Sequence, residues 1–154
     1  MAGVAFQLNV PRELFAQIKK AGNAKAMEQA FRDYLVRARQ RAYMKVSGPV
    51  LKVRSGNLRA GLYTAVIRQG NTLIGRLGTD VVYGAIHEFG GTTRPHIIVP
   101  RHAKALRFVT HGEVVFSTIV HHPGSVIPKR PYLRPSLDEE LPQFLNDLLV
   151  ALAG

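Results

Sequence analysis

The N-terminal third of the chain has the hydrophobic period of α-helices. From about residue 24 to residue 45, apolar side chains recur at intervals of three, four and seven positions, while Arg and Lys occupy other positions. This pattern predicts a long amphipathic helix with one apolar face. A shorter helix is predicted to begin near Pro11, because Asn9 can cap it and proline suits the first helical turn. Ser47-Gly48-Pro49 is expected to end the long helix.

The middle of the chain has shorter runs, typical of strands, separated by turn residues. Gln69-Gly70-Asn71 and His111-Gly112-Glu113 have the chemistry of hairpin turns, since Gly and Asn tolerate the positive φ angles that tight turns need. A short helical or turn segment is predicted at 83–89. The apolar runs predict strands at residues 63–68, 72–77, 97–99, 105–109 and 114–120.

The C-terminal end returns to the helical period. Apolar residues from Leu137 to Ala153 predict a closing helix, and Pro142 is expected in its first turns, where proline is tolerated. The order of helix, two hairpins and helix predicts an α+β fold. We expect a single domain, 1–154, in which a long N-terminal helix and a C-terminal helix pack on a curved antiparallel β-sheet.

Two segments, 90–104 and 121–131, do not fit this globular pattern. Both are rich in Gly, Pro, Arg and His, and loops of such length inside a small domain are usually functional or disordered. We therefore predict long loop arms, which are disordered in the free subunit and become ordered on assembly with a neighbouring subunit.

Composition narrows the classes of protein. The chain has 154 residues and no cysteine, which excludes disulfides, thiolate zinc sites and cysteine nucleophiles. The first ten residues contain no positively charged region, so a secretory signal is not expected. Because no run of about 18 apolar residues is present, we also expect no membrane span. These features fit synthesis in a reducing cytoplasm.

The net charge of +11 is distributed unevenly along the chain. Residues 1–134 contain all 21 Lys and Arg but six of the 10 acids, and residues 135–154 contain the other four acids and no base. A basic body of this kind attracts polyanions. It equally suits a self-assembling subunit whose acidic face docks on the basic face of its neighbour.

Three short motifs occur in order along the chain: Ser55-Gly56-Asn57-Leu58-Arg59, then YGAIHEFG from Tyr83, then RPYLRPSL from Arg130. Together they resemble the tail-completion (neck) proteins of long-tailed bacteriophages, a family of virion morphogenesis and minor tail components. The resemblance covers about residues 10–150. The positions that carry it are Gly56, Leu58, Tyr83, Glu88, Phe89, Gly90, Arg130, Pro131, Tyr132, Leu133 and Pro135.

The resemblance implies a structural virion protein that caps the head-proximal end of the tail and helps to join it to the head. Relatives are expected to form oligomeric rings, with a hexamer matching the sixfold tail tube. The implied partners are further copies of the chain and other tail or neck proteins. DNA crossing the channel of the ring is expected to touch it transiently. The implied location is the virion, after synthesis in the cytoplasm of the host bacterium, with no membrane partner.

The chain departs from the family pattern at three places. Gly84 stands where Ala is common, Tyr132 replaces Phe, and an insertion at 91–104 is rich in basic residues and histidine. These departures do not alter the expected fold, but they leave open which partner surface the protein fits.

Charged residues are the predicted contacts of the ring. Rings form by heterologous contacts, which need two different complementary patches, and the basic body and acidic C-terminal end provide candidates. The second and third motifs are expected either to join such a contact or to hold the last helix within the subunit. The residues predicted at subunit or partner interfaces are Arg94, Arg101, Lys104, Lys129, Arg130, Arg134, Asp138, Glu139 and Glu140.

Candidate catalytic chemistry is sparse in the sequence. Six histidines suggest a metal site, but His87-Glu88 lacks the second histidine of a zincin helix. Adjacent His121 and His122 in a strand would point to opposite faces. There is also no nucleophile elbow, no phosphate-binding loop and no spacing that selects a pair of carboxylates. We therefore predict no enzyme activity, no catalytic residue, no metal and no cofactor.

Nucleic-acid binding is the alternative function. Basic residues between 94 and 107 and between 129 and 134 are interleaved with Phe108 and Tyr132, an arrangement that suits binding of single strands. The pI near 10.6 also meets the electrostatic criterion. No recognised nucleic-acid-binding module is visible in the sequence.

Overall fold

A computed structural model describes residues 3–20, 22–52 and 55–153, the side chain of Leu152 excepted. Helices and antiparallel sheets occur together, so the predicted α+β class is confirmed. The helices are α1 (Arg12–Lys20), α2 (Ala24–Lys45), α3 (Asn57–Ala60), α4 (Gly84–Phe89) and α5 (Arg134–Ala153). The strands are β1 (Val4–Asn9), β2 (Leu62–Gln69), β3 (Thr72–Thr79), β4 (Gly91–Thr92), β5 (His96–Ile98), β6 (Leu106–Thr110), β7 (Glu113–Ser117), β8 (Val120–His122) and β9 (Val126–Ile127).

The chain divides into two compact units. Unit 1 contains residues 1–89 and 129–154, and unit 2 contains residues 90–128. The single domain expected from the chain length stays a prediction.

Unit 1 contains a three-stranded antiparallel sheet in the order β1-β3-β2. Strands β2 and β3 form the first predicted hairpin, with Gln69 opposite Thr72. The turn between them is Gly70-Asn71, and Gly70 has a φ of 60°. A positive φ at the first of two turn residues is the geometry of a type II′ turn, whose twist matches that of the strands. The residue types of the turn therefore gave the right prediction.

Strand β1 was missing from the sequence-based prediction. It pairs antiparallel with β3, from Val4 opposite Thr79 to Asn9 opposite Ile74. Its apolar positions, Val4, Phe6 and Leu8, alternate with Ala5, Gln7 and Asn9. This period of two is the pattern of a strand with one buried face. It spans only six residues at the end of the chain, so the signal in the sequence is weak.

Helix α2 packs on β2 and β3 and has the predicted bounds. Gly75 of β3 allows a close approach, because a Cβ at this position would lie 2.6 Å from the ring of Phe31. The helix therefore covers the sheet with an apolar face that is fully buried. This face consists of Met27, Ala30, Phe31, Tyr34, Leu35, Ala38 and Ala42.

Helix α5 packs along α2. The Tyr34 hydroxyl donates a hydrogen bond to the Leu137 carbonyl at 3.0 Å, and the rings of Tyr34 and Phe144 stack with centroids 4.6 Å apart. The helix begins at Arg134, earlier than predicted. Pro142 therefore lies in the helix interior, where it removes a backbone hydrogen bond, and its predicted place in the first turns was wrong.

Unit 2 is a two-stranded antiparallel ribbon. It contains three successive ladders, β4 with β9, β5 with β8 and β6 with β7. Between the first two ladders, the Thr93 N–H donates to the Ser125 carbonyl at 2.9 Å. The second predicted hairpin is confirmed as β6 and β7. Its turn residues, His111 and Gly112, have φ angles of 51° and 85°, as a type I′ turn requires.

The ribbon corrects the prediction of two long loop arms. Segment 90–104 contains β4 and β5, and segment 121–131 contains β9 and two residues of β8. The two segments pair with each other because strand pairing satisfies backbone N–H and C=O groups that a loop would leave to water. Strands of two or three residues are too short to show a period in the sequence.

Across residues 3–20, 22–52 and 55–153, no helix is long and apolar enough to cross a membrane.

Candidate functional site

The second and third sequence motifs meet at the beginning of α5. Glu88, near the end of α4, is buried, with 1% of its surface exposed. One carboxylate oxygen, Oε2, accepts hydrogen bonds from the backbone N–H groups of Tyr132 at 2.8 Å and Leu133 at 2.9 Å. The other oxygen, Oε1, accepts from the N–H of Arg134 at 3.0 Å. One side chain thus caps the start of a helix that lies about 45 residues later in the chain.

The physical chemistry of a helix start explains why an acid is needed here. The first N–H groups of a helix have no partner inside it, and they carry the positive end of the helix dipole. A carboxylate can accept all three bonds and matches the sign of the dipole. Burial of a charged group is costly without such partners, so Glu88 and the start of α5 depend on each other.

Gly84 and Tyr132 touch each other in the structure. The Tyr132 hydroxyl donates a hydrogen bond to the Gly84 carbonyl at 3.2 Å. A Cβ on residue 84 would lie 2.9 Å from this hydroxyl and 2.5 Å from Cγ2 of Thr79. Glycine at 84 therefore leaves room for the oxygen that Tyr132 has and phenylalanine lacks. It also leaves room for the Thr79 side chain, which is the closer of the two neighbours.

The first motif reaches the same place through Leu58. Cδ1 of this side chain lies 3.5 Å from the position that a Cβ on Gly84 would take. Gly56, with a φ of 77°, precedes α3 and turns the chain into it. All three motifs therefore converge around Gly84, although they are separated along the chain. Tyr83, Phe89 and Arg130 remain exposed at this junction.

His87 is the unusual polar group at the motif junction. Its carbonyl accepts a hydrogen bond from the Arg130 N–H at 2.8 Å, but its buried Nδ1 atom has no partner within the part of the chain that the structure describes. Burial and the nearby Arg130 charge lower the pKa of His87. The imidazole is therefore neutral at neutral pH, and its ring packs edge-on against Tyr83 with centroids 6.0 Å apart.

The acidic C-terminal end is engaged within the subunit. Glu140 binds Arg41 and, at 2.9 Å, Arg37 of α2. Arg37 also binds Asp147 at 2.7 Å. Lys45 binds Glu139 at 2.7 Å. These ion pairs hold α5 against α2, so most of the negative charge predicted to face a neighbour is neutralised by the same chain.

The pKa shifts of this network follow from its geometry. Burial alone would raise the pKa of Glu140, but hydrogen bonds from Arg41 and Arg37 outweigh it and hold the pKa below its ordinary value. Hydrogen bonds from Gln143 and then Arg37 lower the pKa of Asp147. Both carboxylates therefore stay ionised well into the acidic range.

The other predicted interface residues lie at separate places. Arg134 forms an exposed ion pair with Asp138 on the first turns of α5, at 3.2 Å. The remaining five are exposed and form no ion pair among the described residues. Lys129 and Arg130 belong to unit 1, whereas Arg94, Arg101 and Lys104 belong to the ribbon.

The ribbon also carries exposed apolar side chains that the sequence analysis did not single out. Phe116 is 66% exposed and Val109 is 62% exposed. They belong to β6 and β7, whose sequences resemble those of a hairpin with one buried face. The sequence alone therefore does not reveal that both faces of this hairpin lack deep cover. Exposure of this kind is visible in the burial of the side chains and not in their order.

Two histidines of the ribbon lie side by side. His96 and His122 are opposite each other on β5 and β8, and their rings stack with centroids 4.9 Å apart. Nδ1 of His122 accepts the Gly124 N–H at 3.0 Å, while His121 lies on the other face, opposite Ile97. An open pocket of about 320 Å³ adjoins them. In the described ranges, no three His or acidic side chains are placed to hold a metal ion.

Comparison of the chain with models of protein families, with curated proteins and with solved structures finds no match.

Proposed function

We propose that this protein is a structural subunit of a phage virion, a tail-completion or neck ring subunit that caps the head-proximal end of the tail and helps to join it to the head. The observation that supports this proposal most strongly is the convergence of the three motifs around Gly84. Residues that carry the resemblance are spread over about 80 positions, from Gly56 to Pro135, and a shared structural role explains why they occur together.

The proposed subunit acts by assembly and not by catalysis. Its long N-terminal helix and C-terminal helix, with the antiparallel sheet, would form the curved wall of the ring, and the ribbon would be the element that meets other chains. Partners are further copies, with a hexamer the expected ring, and other tail and neck proteins. The proposed location is the virion, after synthesis in the host cytoplasm, with no cofactor and no membrane partner.

The structure changes which surfaces such a ring would use. The predicted docking of an acidic helix on a basic neighbour loses much of its driving force, because Arg37, Arg41 and Lys45 already neutralise Glu139, Glu140 and Asp147. An ion pair satisfied within one chain has little electrostatic attraction left for another. The exposed apolar side chains of the ribbon, and its cations that form no ion pair among the described residues, remain for contacts between chains.

Deletion of the gene from the genome that carries it tests the proposal. After induction, electron microscopy is expected to show full heads and free tails in place of joined virions, and a plasmid copy of the wild-type gene is expected to restore joining. A plasmid copy with Glu13→Gln, at an exposed acid of α1 outside the ribbon, serves as a matched control beside Glu88→Gln. Normal yields of joined virions after the deletion would refute the proposal.

Nucleic-acid binding is the second candidate, and the charge of the ribbon favours it. Arg94, Arg101, Lys104 and Arg107 are exposed and form no ion pair among the described residues, and Glu113 is the one acid between residues 90 and 128. A two-stranded basic ribbon fits the major groove of DNA. Fluorescence anisotropy with labelled duplex and single strands at increasing salt tests it. Binding at physiological salt that weakens steeply as salt rises would support a dedicated role.

A further inference from the structure

The two faces of the β6–β7 hairpin are covered to different extents. Residues opposite each other on paired strands lie on the same face. On the face that carries Phe108, three of the six side chains are partly buried, and Glu113 adds a negative charge. On the other face all four side chains are exposed and none is acidic. We call this second set of residues the Phe116 face, and its members are Arg107, Val109, Val114 and Phe116.

An aromatic ring and a cation lie side by side on the Phe116 face. Phe116 is 66% exposed, whereas Phe108 on the other face is 38% exposed. Arg107 is directly opposite Phe116 on the partner strand, and the Cβ atoms of such a pair are about 5 Å apart. Arg107 is exposed and forms no ion pair among the described residues. The ring is therefore accessible to a planar group, and the guanidinium beside it is accessible to an anion.

Two further cations of the ribbon adjoin this pair along the chain. Arg101 and Lys104 lie in the connection between β5 and β6, where both are exposed and form no ion pair among the described residues. They precede Arg107 by six and three residues, so the chain holds them within about 20 Å and about 10 Å of it. Glu113, at the turn, is the one acid between residues 90 and 128. The ring of Phe116 therefore lies in a region of positive charge.

We propose that the Phe116 face binds single-stranded nucleic acid, with a base stacked on Phe116 and a neighbouring phosphate bound by Arg107. Sites for single strands combine aromatic rings, on which bases stack, with cations along the backbone. In a duplex the flat surfaces of the bases are covered by the next base pairs, so a ring on a strand face does not reach them. An acidic peptide supplies anions but no planar group beside each anion. The pairing of ring and cation therefore favours a single strand.

This binding mode rests on the second candidate function and names the form of nucleic acid and the residues that bind it. A contact with the groove of a duplex uses the cations of the ribbon, whereas stacking also requires Phe116. Preference for a duplex would therefore leave the candidate function standing and overturn the stacking contact. The proposed role as a ring subunit is tested separately by deletion of the gene, because that result does not depend on Phe116.

Fluorescence anisotropy with a labelled oligothymidylate of about 15 nucleotides tests the contact on the full-length protein. We expect the single strand to bind more tightly than a duplex of the same length. Phe116→Leu keeps an apolar side chain and removes the ring, so it is expected to weaken binding about 10-fold, the size of one stacking contact between a base and an aromatic ring. Phe108→Leu is the matched control on the other face of the hairpin, and its affinity is expected to equal that of the wild type.

The dependence of affinity on salt separates the role of the cation from that of the ring. Arg107→Gln should make the slope of log affinity against log salt concentration shallower by about 0.7, the value for one phosphate contact with a single strand. Phe116→Leu should leave this slope unchanged, because the ring carries no charge. Arg12→Gln, at an exposed cation of α1, is the control for loss of a positive charge elsewhere and should also leave the slope unchanged.

A tryptophan at position 116 reports the stacking directly, because the sequence contains no tryptophan. The Phe116→Trp protein is expected to keep its affinity, since the indole also offers a flat ring, and its emission should be quenched when the oligonucleotide stacks on it. Phe108→Trp places the same reporter on the other face, where emission should stay unchanged. Circular dichroism checks that each variant is folded.

Three results would overturn the stacking contact. The first is a Phe116→Leu protein that binds the single strand as tightly as the wild type, the second is equal quenching in the two tryptophan variants, and the third is tighter binding of the duplex. Absence of binding to either nucleic acid at low salt would remove the second candidate function as well. Binding to anionic phospholipid vesicles in that case would identify a lipid surface as the occupant of the Phe116 face.

Discussion

Replacement of Glu88 by Gln should destabilise the protein strongly, although the two side chains have nearly the same size. The Glu88 carboxylate accepts three backbone hydrogen bonds, from Tyr132, Leu133 and Arg134, at 2.8–3.0 Å. The glutamine amide has one oxygen, and its nitrogen can only donate. At least one N–H at the start of α5 therefore loses its acceptor in a place where the side chain is buried.

The size of the effect can be worked out from these contacts. Hydrogen bonds to a charged group contribute about 1.5–3 kcal/mol each, and a buried group left without a partner costs about 1–3 kcal/mol. Loss of the charge beside the helix N-terminus removes up to about 1 kcal/mol more. We expect the free energy of unfolding to fall by about 3 kcal/mol. For a chain of this length the melting temperature should fall by roughly 6–12 °C.

Urea unfolding followed by far-UV circular dichroism measures this change in the free energy of unfolding. Glu113→Gln is the matched control, because Glu113 is an exposed acid at the ribbon tip, and its substitution is expected to change stability by less than about 0.5 kcal/mol. If Glu88→Gln is as stable as this control, the cap does not hold α5 in place and the reasoning is wrong.

Three further predictions concern buried groups of unit 1. Gly84→Ala should reduce the free energy of unfolding by about 1–3 kcal/mol. The reduction should be smaller in combination with Tyr132→Phe, because that change removes the hydroxyl 2.9 Å from the new methyl group. A double-mutant cycle of unfolding free energies that shows no coupling would contradict this. The lowered pKa of Glu140 implies a contribution to stability that is present above the ordinary glutamate pKa and lost as pH falls through the lowered value. The urea midpoint should therefore drop in acid, and Glu140→Gln should make this drop smaller. An unchanged dependence of the midpoint on pH would count against the ion-pair network. Burial, with the charges of Asp138 and Glu140, raises the pKa of Tyr34 to about 12. In an absorbance titration of the folded protein, Tyr34→Phe should therefore remove a tyrosine ionisation near pH 12 and leave the ionisations at lower pH unchanged.

The regular elements with strong local patterns were predictable. The apolar period of α2 gave its bounds, and the turn residues Gly70 and Gly112 gave both hairpins, because these preferences arise from the backbone of a few neighbouring residues. Strands of two or three residues, such as β4 and β9, have no period to detect. Their pairing depends on the partner strand, which lies more than 30 residues away.

For the candidate site, the sequence alone indicated which residues belong together but not what they do. The three motifs were identified from the sequence, with two possible roles, one of which was to hold the last helix within the subunit. The role of Glu88 as a cap on α5 depends on the position of α4 beside the start of α5, which the structure shows. The charged residues Glu139 and Glu140 were predicted to face a neighbour. Their partners Arg41 and Lys45 lie on a helix about 100 positions earlier, and no local pattern joins them.

By itself, the sequence determined the α+β class, the positions of the long helices and hairpins, and the three motifs, because each depends on side-chain period or turn chemistry within a short segment. The tertiary structure alone decided which charges are satisfied within the chain, which apolar side chains stay exposed, and that Gly84 leaves room for Thr79 and for the Tyr132 hydroxyl. The burial and the contacts of a side chain depend on residues far apart in the chain. The sequence alone therefore does not determine whether a given leucine or glutamate is buried or exposed.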